Sequence, residues 1–273
     1  MDPVSRANIK VSEYTLSVVT GGSSGLGEII IERILKIGSG PSVCNLSRSK
    51  PTSFLIDPRF THLECDLSDR QHRSKVFQEL LGLIQNDNTK GPILLVNNSG
   101  FGLYDSVDNN PATDHLELIE VNISALVELT HTLLPIIKQR GGTIMNIAST
   151  SAFQPTPYIA TYGASKSFVL NWTLALNEEL KGTKANAIAI CPGPTRTNFY
   201  KRAGLTDRVI PDGYSHEPEE VIEQAFNALA KGKSVVVTGW INKLLSAFSS
   251  RLPIAFSAHL ARRVIGRYRN INS

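Results

Sequence analysis

Short apolar runs alternate with longer stretches of helical periodicity along most of this chain of 273 residues. Short apolar runs between helices are typical of strands in a parallel sheet that is covered on both faces. We expect seven strands, near residues 16–20, 42–47, 60–65, 92–97, 143–148, 185–191 and 234–238. We expect helices near 25–37, 69–85, 113–139, 159–181 and 217–231. Right-handed crossovers between parallel strands then favour one doubly wound α/β domain over residues 1–250, with helices on both faces.

The first expected strand runs directly into a glycine-rich turn and then into an apolar-periodic helix. The turn has the spacing Gly-x-x-x-Gly-x-Gly, at Gly21, Gly25 and Gly27. Glycine allows a tight turn and lets the backbone approach a phosphate closely. A strand, a glycine turn and a helix in this order place a pyrophosphate at the helix N-terminus, where N–H groups and the helix dipole face the anion. The turn therefore favours a dinucleotide-binding Rossmann fold over a plain loop.

Tyr162 and Lys166 stand four residues apart in the run Tyr-Gly-Ala-Ser-Lys. Residues with this spacing share one face of a helix. The unperturbed pKa of tyrosine is about 10, and a nearby cation favours the phenolate and lowers that pKa. Tyr162 and Lys166 are therefore candidates for acid–base catalysis, although the same spacing is also common on solvated helix faces.

Other polar motifs fall where the expected strands end. Asp66, Asn98 and Ser149 follow the third, fourth and fifth strands, and Pro192-Gly193 follows the sixth. Ligands of doubly wound sheets bind beyond the carboxyl ends of the strands. These motifs therefore predict one shared site.

Taken together, the motifs resemble those of the short-chain dehydrogenase/reductase family, in its short single-domain form. The resemblance covers residues 16–239 and rests on Thr20-Gly21-x-x-x-Gly25-x-Gly27, Asp66-Leu67, Asn97-Asn98-Ser99-Gly100, Asn122, Ser149, Tyr162, Lys166, and Pro192-Gly193 with Thr197. The family usually has alanine where Ser99 stands. The resemblance implies hydride transfer between a nicotinamide cofactor and a carbonyl or alcohol carbon, with the protein supplying position and a proton.

The resemblance also implies four catalytic residues. Tyr162 would give a proton to the carbonyl oxygen in reduction, and Ser149 would hold that oxygen, although the two hydroxyls that follow Ser149 are alternatives. Lys166 would lower the tyrosine pKa and bind the nicotinamide ribose. Asn122 would support a water relay to the lysine, or would be a helix residue without a catalytic role.

A larger set of residues is expected to hold the cofactor. The glycine turn would bind the pyrophosphate, Asp66 the adenine amino group, and the loop after the sixth strand the nicotinamide carboxamide. Asp66 could instead cap the following helix, a role that Ser68 or Asp69 could equally fill. Asn97 is expected to tie neighbouring strands together. The expected cofactor-binding residues are Gly21, Ser23, Ser24, Gly25, Leu26, Gly27, Ser47, Arg48, Asp66, Leu67, Asn98, Ser99, Gly100, Tyr162, Lys166, Pro192, Gly193, Thr195 and Thr197.

The end of the second strand indicates which nicotinamide cofactor is used. An acidic residue there would bind the ribose 2′-hydroxyl of NAD. The sequence instead reads Ser47-Arg48-Ser49-Lys50, with no acid. A guanidinium pairs bidentately with a 2′-phosphate. Arg48, helped by Ser47, Ser49 and Ser23, therefore favours NADP(H) over NAD(H), unless Arg48 is a surface arginine that only stacks on adenine.

Composition narrows the class of protein without naming a substrate. The net charge of the chain is +4. Residues 251–273 carry five arginines and no acidic residue, so the first 250 residues have a net charge of −1. No basic face for nucleic acid is therefore expected in the body of the protein. The three cysteines and six histidines have no metal-ligand spacing, so no metal site is expected. No signal peptide or spanning helix is predicted, so we expect a cytoplasmic protein.

The basic segment 251–273 is the least typical part of the chain. Phe256, Leu260, Val264 and Tyr268 recur at four-residue intervals and predict a helix with an apolar stripe. We expect this helix to pack on the domain or on a partner subunit. A helix on an anionic membrane surface is a less favoured alternative, and a disordered basic end is another.

The sequence says little about the substrate. By the resemblance, residues 198–218 would form a mobile lid that contributes Phe199, Tyr200, Leu205, Val209, Ile210 and Tyr214. Such a lid predicts an apolar or mixed pocket, suited to a hydrophobic ketone or a 3-oxoacyl compound.

We therefore predict an NADP-dependent carbonyl reductase or alcohol dehydrogenase that acts on a small molecule. A non-catalytic NADP-binding sensor or scaffold is the alternative, and a nucleotide-sugar epimerase or dehydratase is disfavoured by the glycine spacing. By the resemblance, the long helices 113–139 and 159–181 would join subunits into a homodimer or homotetramer.

Overall fold

A single parallel sheet of seven strands organises the molecule, in the order β3-β2-β1-β4-β5-β6-β7. The structure is a computed structural model that describes residues 3–86, 89–204 and 215–269, apart from the side chains of residues 3, 202 and 267–269. The strands are β1 Leu16–Thr20, β2 Ser42–Ser47, β3 Phe60–Glu64, β4 Ile93–Asn97, β5 Gly142–Ile147, β6 Ala185–Cys191 and β7 Val235–Val237. All seven predicted strands are confirmed, with ends that differ by at most one residue.

Helices cover both faces of this sheet, which confirms the predicted doubly wound Rossmann fold. Their bounds are α1 Pro3–Ser12, α2 Gly25–Leu35, α3 Arg70–Asn86, α4 Ala112–Ile119, α5 Ala125–Arg140, α6 Ala160–Glu179, α7 Phe199–Arg202, α8 Pro218–Ala230, α9 Trp240–Ser249 and α10 Ile254–Arg269. Residues of α1, α2 and α8 form the core on one face, and residues of α3, α5 and α6 form the core on the other. The carboxyl ends of the strands lie between these layers at one edge.

The predicted helix 113–139 is present over residues 112–140, but it is not α-helical throughout. A π-helical turn, Glu120–Ser124, separates α4 from α5, and Asn122 lies in that turn. π-Helical turns are rare and occur often at functional sites. Arg73 of α3 braces the turn, since its guanidinium lies 2.6 Å from the Glu120 carboxylate and 2.8 Å from that of Glu128.

Helix α1 has no counterpart among the predicted elements. Ala7 and Val11 on this helix, and Tyr14 beyond it, are buried in the core that also contains α8. The Tyr14 hydroxyl lies 2.7 Å from the Thr143 hydroxyl of β5. Packing against distant parts of the chain therefore stabilises a helix of ten residues whose own sequence signal is weak.

The predicted C-terminal helix is present as α10, but its apolar stripe does not face the domain. Ser257 and Ala261 are buried, whereas Phe256, Leu260 and Val264 are exposed. Tyr268 of the predicted stripe has a side chain outside the described residues. Helix α9, which the sequence did not predict, has the same orientation, with Asn242 and Ser246 buried. Among the described helices, none has the length and apolar content that crossing a membrane requires.

Candidate active site

A cavity of about 1100 Å³ opens at the carboxyl ends of the strands. Nearly all of the predicted site residues line it. These are Gly21, Ser23, Ser24, Gly25, Leu26, Ser47, Arg48, Asp66, Leu67, Asn98, Ser99, Gly100, Ser149, Tyr162, Lys166, Pro192, Gly193, Thr195 and Thr197. Gly27 and Asn122 are not on the wall, so any contribution they make to the site passes through the residues in front of them.

The glycine turn between β1 and α2 has the backbone that its sequence predicts. Gly21 and Gly25 have φ angles of +71° and +59°, in the left-handed region that favours glycine. A Cβ at Gly27 would lie 2.4 Å from the carbonyl oxygen of Gly21, so the helix and the turn approach closely there. Ser24 precedes α2 in an extended conformation, and its side chain makes no capping hydrogen bond to the helix. The first N–H groups of α2 therefore lack a side-chain cap where the helix meets the cavity.

Thr20 fastens this turn to the end of β4. The Thr20 hydroxyl accepts hydrogen bonds of 3.0 Å from the backbone N–H groups of Asn98 and Ser99. The Asn98 amide donates in return to the Thr20 carbonyl at 3.0 Å. Asn97 points elsewhere, donating to Thr130 and Asn146 in the interior. The structure thus separates Asn98, at the cavity floor, from Asn97, which ties strands as predicted.

The end of β2 presents one exposed cation to the cavity. Arg48 lines the wall, is exposed, and forms no salt bridge with a carboxylate in the described part of the chain. The Ser47 hydroxyl donates to the Ser49 carbonyl at 2.8 Å and accepts from the Asn45 amide at 2.9 Å. Ser47 therefore shapes the turn that carries Arg48, and its hydroxyl is already engaged.

Asp66 and Asp69 have different roles after β3. Asp69 caps α3, because its carboxylate accepts from the backbone N–H groups of Gln71 and His72 at 2.9 Å and 3.0 Å. Asp66 lines the cavity and accepts from the backbone and hydroxyl of Ser68 through Oδ1. Burial raises the pKa of Asp66, but the Ser68 hydrogen bonds and the charges of Arg48 and His72 outweigh burial and hold the pKa below its ordinary value. Asp66 is thus an ionised acceptor at the wall and does not cap the helix.

The loop after β6 is held from behind by two other segments. The Thr195 hydroxyl donates to the Gly193 carbonyl at 2.9 Å, and the His216 N–H donates to the Pro194 carbonyl at 2.9 Å. A Cβ at Gly193 would lie 2.0 Å from the Asn242 amide of α9. Helix α9 therefore presses directly on the loop that forms this part of the cavity wall.

Tyr162 and Ser149 bring two hydroxyl groups to one place in the cavity. The Ser149 hydroxyl lies close enough to Tyr162 to influence its pKa, and Ser149 Oγ accepts a hydrogen bond from the Ser151 N–H at 3.1 Å. The Phe199 ring covers Tyr162, with ring centroids 5.2 Å apart. Burial raises the pKa of Tyr162 to about 12, and the neighbouring Ser149 hydroxyl opposes this rise only in part. The predicted lowering of the tyrosine pKa by Lys166 is therefore not seen, because burial sets the direction of the shift and Ser149, rather than Lys166, opposes it.

Lys166 lies on the same helical face as Tyr162, as its spacing predicts. Its ammonium group is 5.7 Å from the centroid of the Tyr162 ring and donates to the Ile147 carbonyl at 2.8 Å. Burial lowers the pKa of Lys166 to about 8. A Cβ at Gly100 would lie 3.2 Å from the ammonium nitrogen, so only glycine leaves this approach open without displacement.

Asn122 joins the π-helical turn to Phe101 and Ser165, which lie next to Lys166 and Tyr162. Its carbonyl oxygen accepts from the Phe101 N–H at 3.1 Å, and its amide donates to the Phe101 carbonyl at 3.0 Å. The same amide donates to Ser165 Oγ at 3.0 Å, and Ser165 donates to the Tyr162 carbonyl at 2.7 Å. Asn122 is thereby linked to the backbone that carries Tyr162 and Lys166.

Comparison with known proteins agrees with this geometry. The family model described as short chain dehydrogenase matches residues 15–207. The chain belongs to the short-chain dehydrogenase family. It is accordingly an NAD(P)-dependent oxidoreductase, and the predicted family and enzyme class are confirmed.

Three similar proteins illustrate the relationship of this short-chain dehydrogenase to others. The uncharacterized oxidoreductase DltE of Bacillus subtilis is 27% identical over 249 residues, which cover 88% of this chain and 93% of the relative. The ketoacyl reductase HetN of Nostoc sp. is 29% identical and covers 69% of each chain. A short-chain dehydrogenase from Sphingobium yanoikuyae, solved in complex with NADPH, is 26% identical with a TM-score of 0.73, over 87% of this chain and 96% of that one.

The cavity of this short-chain dehydrogenase has the features that a dinucleotide requires. The α2 N-terminus without a side-chain cap, the two glycines with positive φ and the exposed Arg48 can receive phosphate groups. Ionised Asp66 can accept a hydrogen bond from an amino group. In contrast, the described residues contain no group of three or more His, Cys, Asp or Glu side chains that could hold a metal ion.

Several residues near the site were not predicted from the sequence. Phe101, Tyr104, Leu245 and Ile265 line the cavity, and Ser165 supports Asn122. Ser165 could have been found, because it lies three residues after Tyr162 on one helical face. Leu245 and Ile265 could not, because they reach the cavity from the distant helices α9 and α10. Of the predicted lid, Phe199 and Tyr200 line the cavity, whereas Leu205, Val209, Ile210 and Tyr214 lie outside the described residues.

Proposed function

We propose that this enzyme is an NADP-dependent carbonyl reductase that converts a hydrophobic ketone or a 3-oxoacyl compound to the alcohol. The observation that carries the proposal is that the neighbouring side chains of Ser149 and Tyr162 line one cavity, with Lys166 on the same helical face as Tyr162. Two hydroxyls that meet in this way can both bind one carbonyl oxygen, which is the geometry that proton donation to a ketone requires.

Tyr162 is the proposed proton donor. Its raised pKa keeps the phenol protonated at neutral pH, so that it can give its proton to the carbonyl oxygen as negative charge develops there. Ser149 is buried and held by its hydrogen bond from Ser151, so its hydroxyl is a positioned donor for the same oxygen. Phe199 packs on the Tyr162 ring and shields that side of it from water.

Lys166 and Asn122 are proposed to supply the proton that Tyr162 gives up. The lowered pKa of Lys166, about 8, lies close to physiological pH, so the ammonium group can lose and regain a proton there. Asn122 lies behind Gly100 and Lys166 and holds the Phe101 backbone, which favours a support role for a proton relay rather than contact with substrate. Thr150 and Ser151 are less suitable than Ser149, because Ser149 is the hydroxyl that acts on the pKa of Tyr162.

The cofactor would lie along the wall from Arg48 to Thr197. When bound, NADPH supplies the hydride. The α2 N-terminus would hold the pyrophosphate and Asp66 the adenine amino group. Arg48 would pair with the 2′-phosphate, since it has no carboxylate partner in the described chain and the β2 end carries no acid to repel that phosphate. The similar Sphingobium yanoikuyae enzyme, whose structure holds NADPH, supports the same choice.

The substrate class is proposed from the far end of the cavity. Phe101, Tyr104, Phe199, Val264 and Ile265 give this end an apolar and aromatic wall. Such a wall suits a hydrophobic ketone or an acyl chain. The similarity to the ketoacyl reductase HetN supports the 3-oxoacyl alternative.

Two further proposals concern the oligomeric state and the cellular location of the protein. We propose a homodimer or homotetramer that uses α4, α5 and α6, because Leu116 and Phe168 are exposed there. We propose the cytoplasm as its location, since the cysteines at 44, 65 and 191 are buried and unpaired, as in reducing compartments. Light scattering after gel filtration measures the first, and fractionation of the source cell measures the second.

A substrate screen tests the proposed function. Purified enzyme is titrated with NADPH and NADH by fluorescence, and NADPH oxidation is then followed with ketones, aldehydes and 3-oxoacyl thioesters. NADPH binding with turnover of an apolar carbonyl supports the reductase. Tight binding with no turnover in the whole panel would favour the sensor alternative, and preferred binding of NADH would contradict the role of Arg48.

A further inference from the structure

Helices α9 and α10 expose their apolar faces and bury their polar ones. On α9, Trp240 is 70% exposed and Leu244 is 63% exposed, whereas Asn242 and Ser246 are buried. Leu245 and Phe248 continue the exposed face of α9, and Ile254, Phe256, Leu260 and Val264 form that of α10. A helix that only covers its own domain has the opposite arrangement. These eight side chains, called the apolar face below, therefore indicate a binding surface.

Basic side chains accompany the apolar face, and acidic ones are missing from the same stretch of sequence. Residues 224–273 contain no Asp or Glu. Lys243 on α9, Arg251 between the helices, and Arg262 and Arg263 on α10 are all exposed. Within the described residues, none of these four forms a salt bridge with a carboxylate. Arg267 and Arg269 follow in the sequence and add two more positive charges.

The apolar face borders the mouth of the cavity. Leu245 and Val264 belong to the face and also line the cavity, and Ile265 lies next to Val264 on the same wall. The Tyr104 hydroxyl donates to the Ile265 carbonyl at 2.9 Å, which fixes α10 against the cavity rim. The two helices are therefore held in place at the cavity rather than lying apart from it.

We propose that the apolar face docks on an anionic lipid membrane surface. Exposed apolar side chains together with exposed basic ones match a bilayer interface, where acyl chains receive the former and anionic headgroups attract the latter. A second copy of this chain fits less well. A two-fold contact through this face would bring both sets of basic side chains together, with no carboxylate from residues 224–273 to neutralise them.

Docking would also turn the cavity mouth toward lipid. A carbonyl compound dissolved in the membrane could then enter between Leu245 and Val264 without crossing water. This consequence rests on the proposed reductase function, whereas docking itself does not. Vesicle binding therefore tests docking whether or not a substrate has been found.

The two tryptophans of the chain give a direct probe of the surface. In a Trp172→Phe variant, Trp240 is the only tryptophan and lies on the apolar face. The full chain is mixed with vesicles of phosphatidylcholine, with and without phosphatidylglycerol, and both co-sedimentation and Trp240 emission are measured. We expect binding to the anionic vesicles, a blue shift of the emission, and weaker binding at high salt.

Two variants separate the basic from the apolar contribution. Arg262→Glu/Arg263→Glu should weaken binding to anionic vesicles at least about tenfold, and Leu244→Ser/Phe248→Ser should remove the blue shift. Lys75→Glu/Lys90→Glu makes the same change of charge at exposed positions on the other half of the chain and should leave binding unchanged. Circular dichroism melting confirms that each variant is folded.

Failure of the folded protein to bind anionic vesicles would overturn the proposal. Binding that persists in both α9 and α10 variants, or that leaves Trp240 emission unchanged, would place the contact elsewhere and overturn it as well. Sedimentation equilibrium addresses the competing occupant. A dimer that Leu244→Ser/Phe248→Ser dissociates would assign the face to a second copy instead.

Discussion

The ammonium group of Lys166 lies 5.7 Å from the centroid of the Tyr162 ring and donates its hydrogen bond to the Ile147 carbonyl. It is therefore buried beside the phenol ring without being bonded to the phenol oxygen. Burial moves the two pKa values towards the neutral forms of both side chains, to about 12 for Tyr162 and about 8 for Lys166. The site holds a protonated acid beside a base that titrates near neutrality.

Replacing Lys166 by methionine should stabilise the protein at neutral pH more than at alkaline pH. Burial lowers the pKa of Lys166 from 10.5 to about 8, so between these values the unfolded chain binds more protons. The unfolding free energy of the unchanged protein therefore rises with pH across this window. The destabilisation caused by burying the charged Lys166 ammonium group is fully present below about pH 8. The advantage of Lys166→Met in unfolding free energy should shrink by about 2 kcal/mol between pH 7 and pH 9.5.

Urea unfolding at the two pH values measures this difference. Buried Cys44 and Cys65, with pKa values raised to about 12, destabilise the folded state above pH 9, but they do so in both proteins and cancel in the comparison. Cys191 interacts with the Lys166 charge, so both proteins are compared in a Cys191→Ala background. An advantage that stayed constant with pH would show that Lys166 is not a titrating buried charge.

Ser165 is expected to act as a positioning residue for Asn122. Ser165→Ala removes the acceptor of the 3.0 Å bond from the Asn122 amide and should lower kcat by between about tenfold and a hundredfold, with KM for NADPH unchanged. The double variant with Asn122→Ala should be no slower than the slower single variant, since both changes break one linkage. Steady-state kinetics of the four proteins tests this, and Ser165→Thr should restore part of kcat. Additive losses would mean that the two residues act separately.

Arg48→Ala should weaken NADPH binding by about ten- to a hundredfold and leave NADH binding unchanged. A hydrogen-bonded guanidinium stabilises a phosphate that only NADPH carries at this position. Fluorescence titration of both cofactors measures the effect. Lys75→Ala, which removes an exposed cation far along the chain on α3, is the matched control and should change neither affinity. An equal loss for both cofactors would instead indicate stacking on adenine.

Arg73→Met should destabilise the fold by about 2 kcal/mol, because two partly exposed carboxylates and the Leu67 carbonyl lose their charged hydrogen-bond donor. The Arg73 side chain is 3% exposed and bonds both Glu120 and Glu128, which joins α3 to the π-helical turn and to α5. Denaturant unfolding measures the change. Lys75→Met, two residues along on the exposed side of α3, should shift stability by less than about 0.5 kcal/mol. A loss below about 1 kcal/mol for Arg73→Met would show that the network contributes little.

Most of the fold could be predicted from the sequence, because each strand of a sheet buried on both faces is a short apolar run with a clear beginning and end. The site could be predicted for the same reason, since its motifs fall directly after strands whose carboxyl ends must meet. Tyr162 and Lys166 needed only helical spacing. The residues that define the site are thus those positioned by local sequence.

What could not be predicted depends on contacts between distant segments. Helix α1 is stabilised by packing near α8, and the π-helical turn at Asn122 by Arg73 of α3. The pKa of Tyr162 depends on burial, which its neighbours in sequence do not reveal. For α9 and α10, periodicity shows that a helix has two faces but not which face meets the protein. The orientation of Phe256 and Leu260 therefore needed the structure.

The most direct test of the account compares Tyr162→Phe with the unchanged enzyme on the best substrate from the carbonyl screen. The substitution removes only the phenol oxygen that is proposed to give the proton. We predict that kcat/KM falls by about 10² to 10⁴. NADPH affinity, measured by fluorescence in the same samples, should remain within about twofold. A variant that keeps its NADPH affinity and more than about a tenth of kcat/KM would contradict the assignment of Tyr162 as the proton donor.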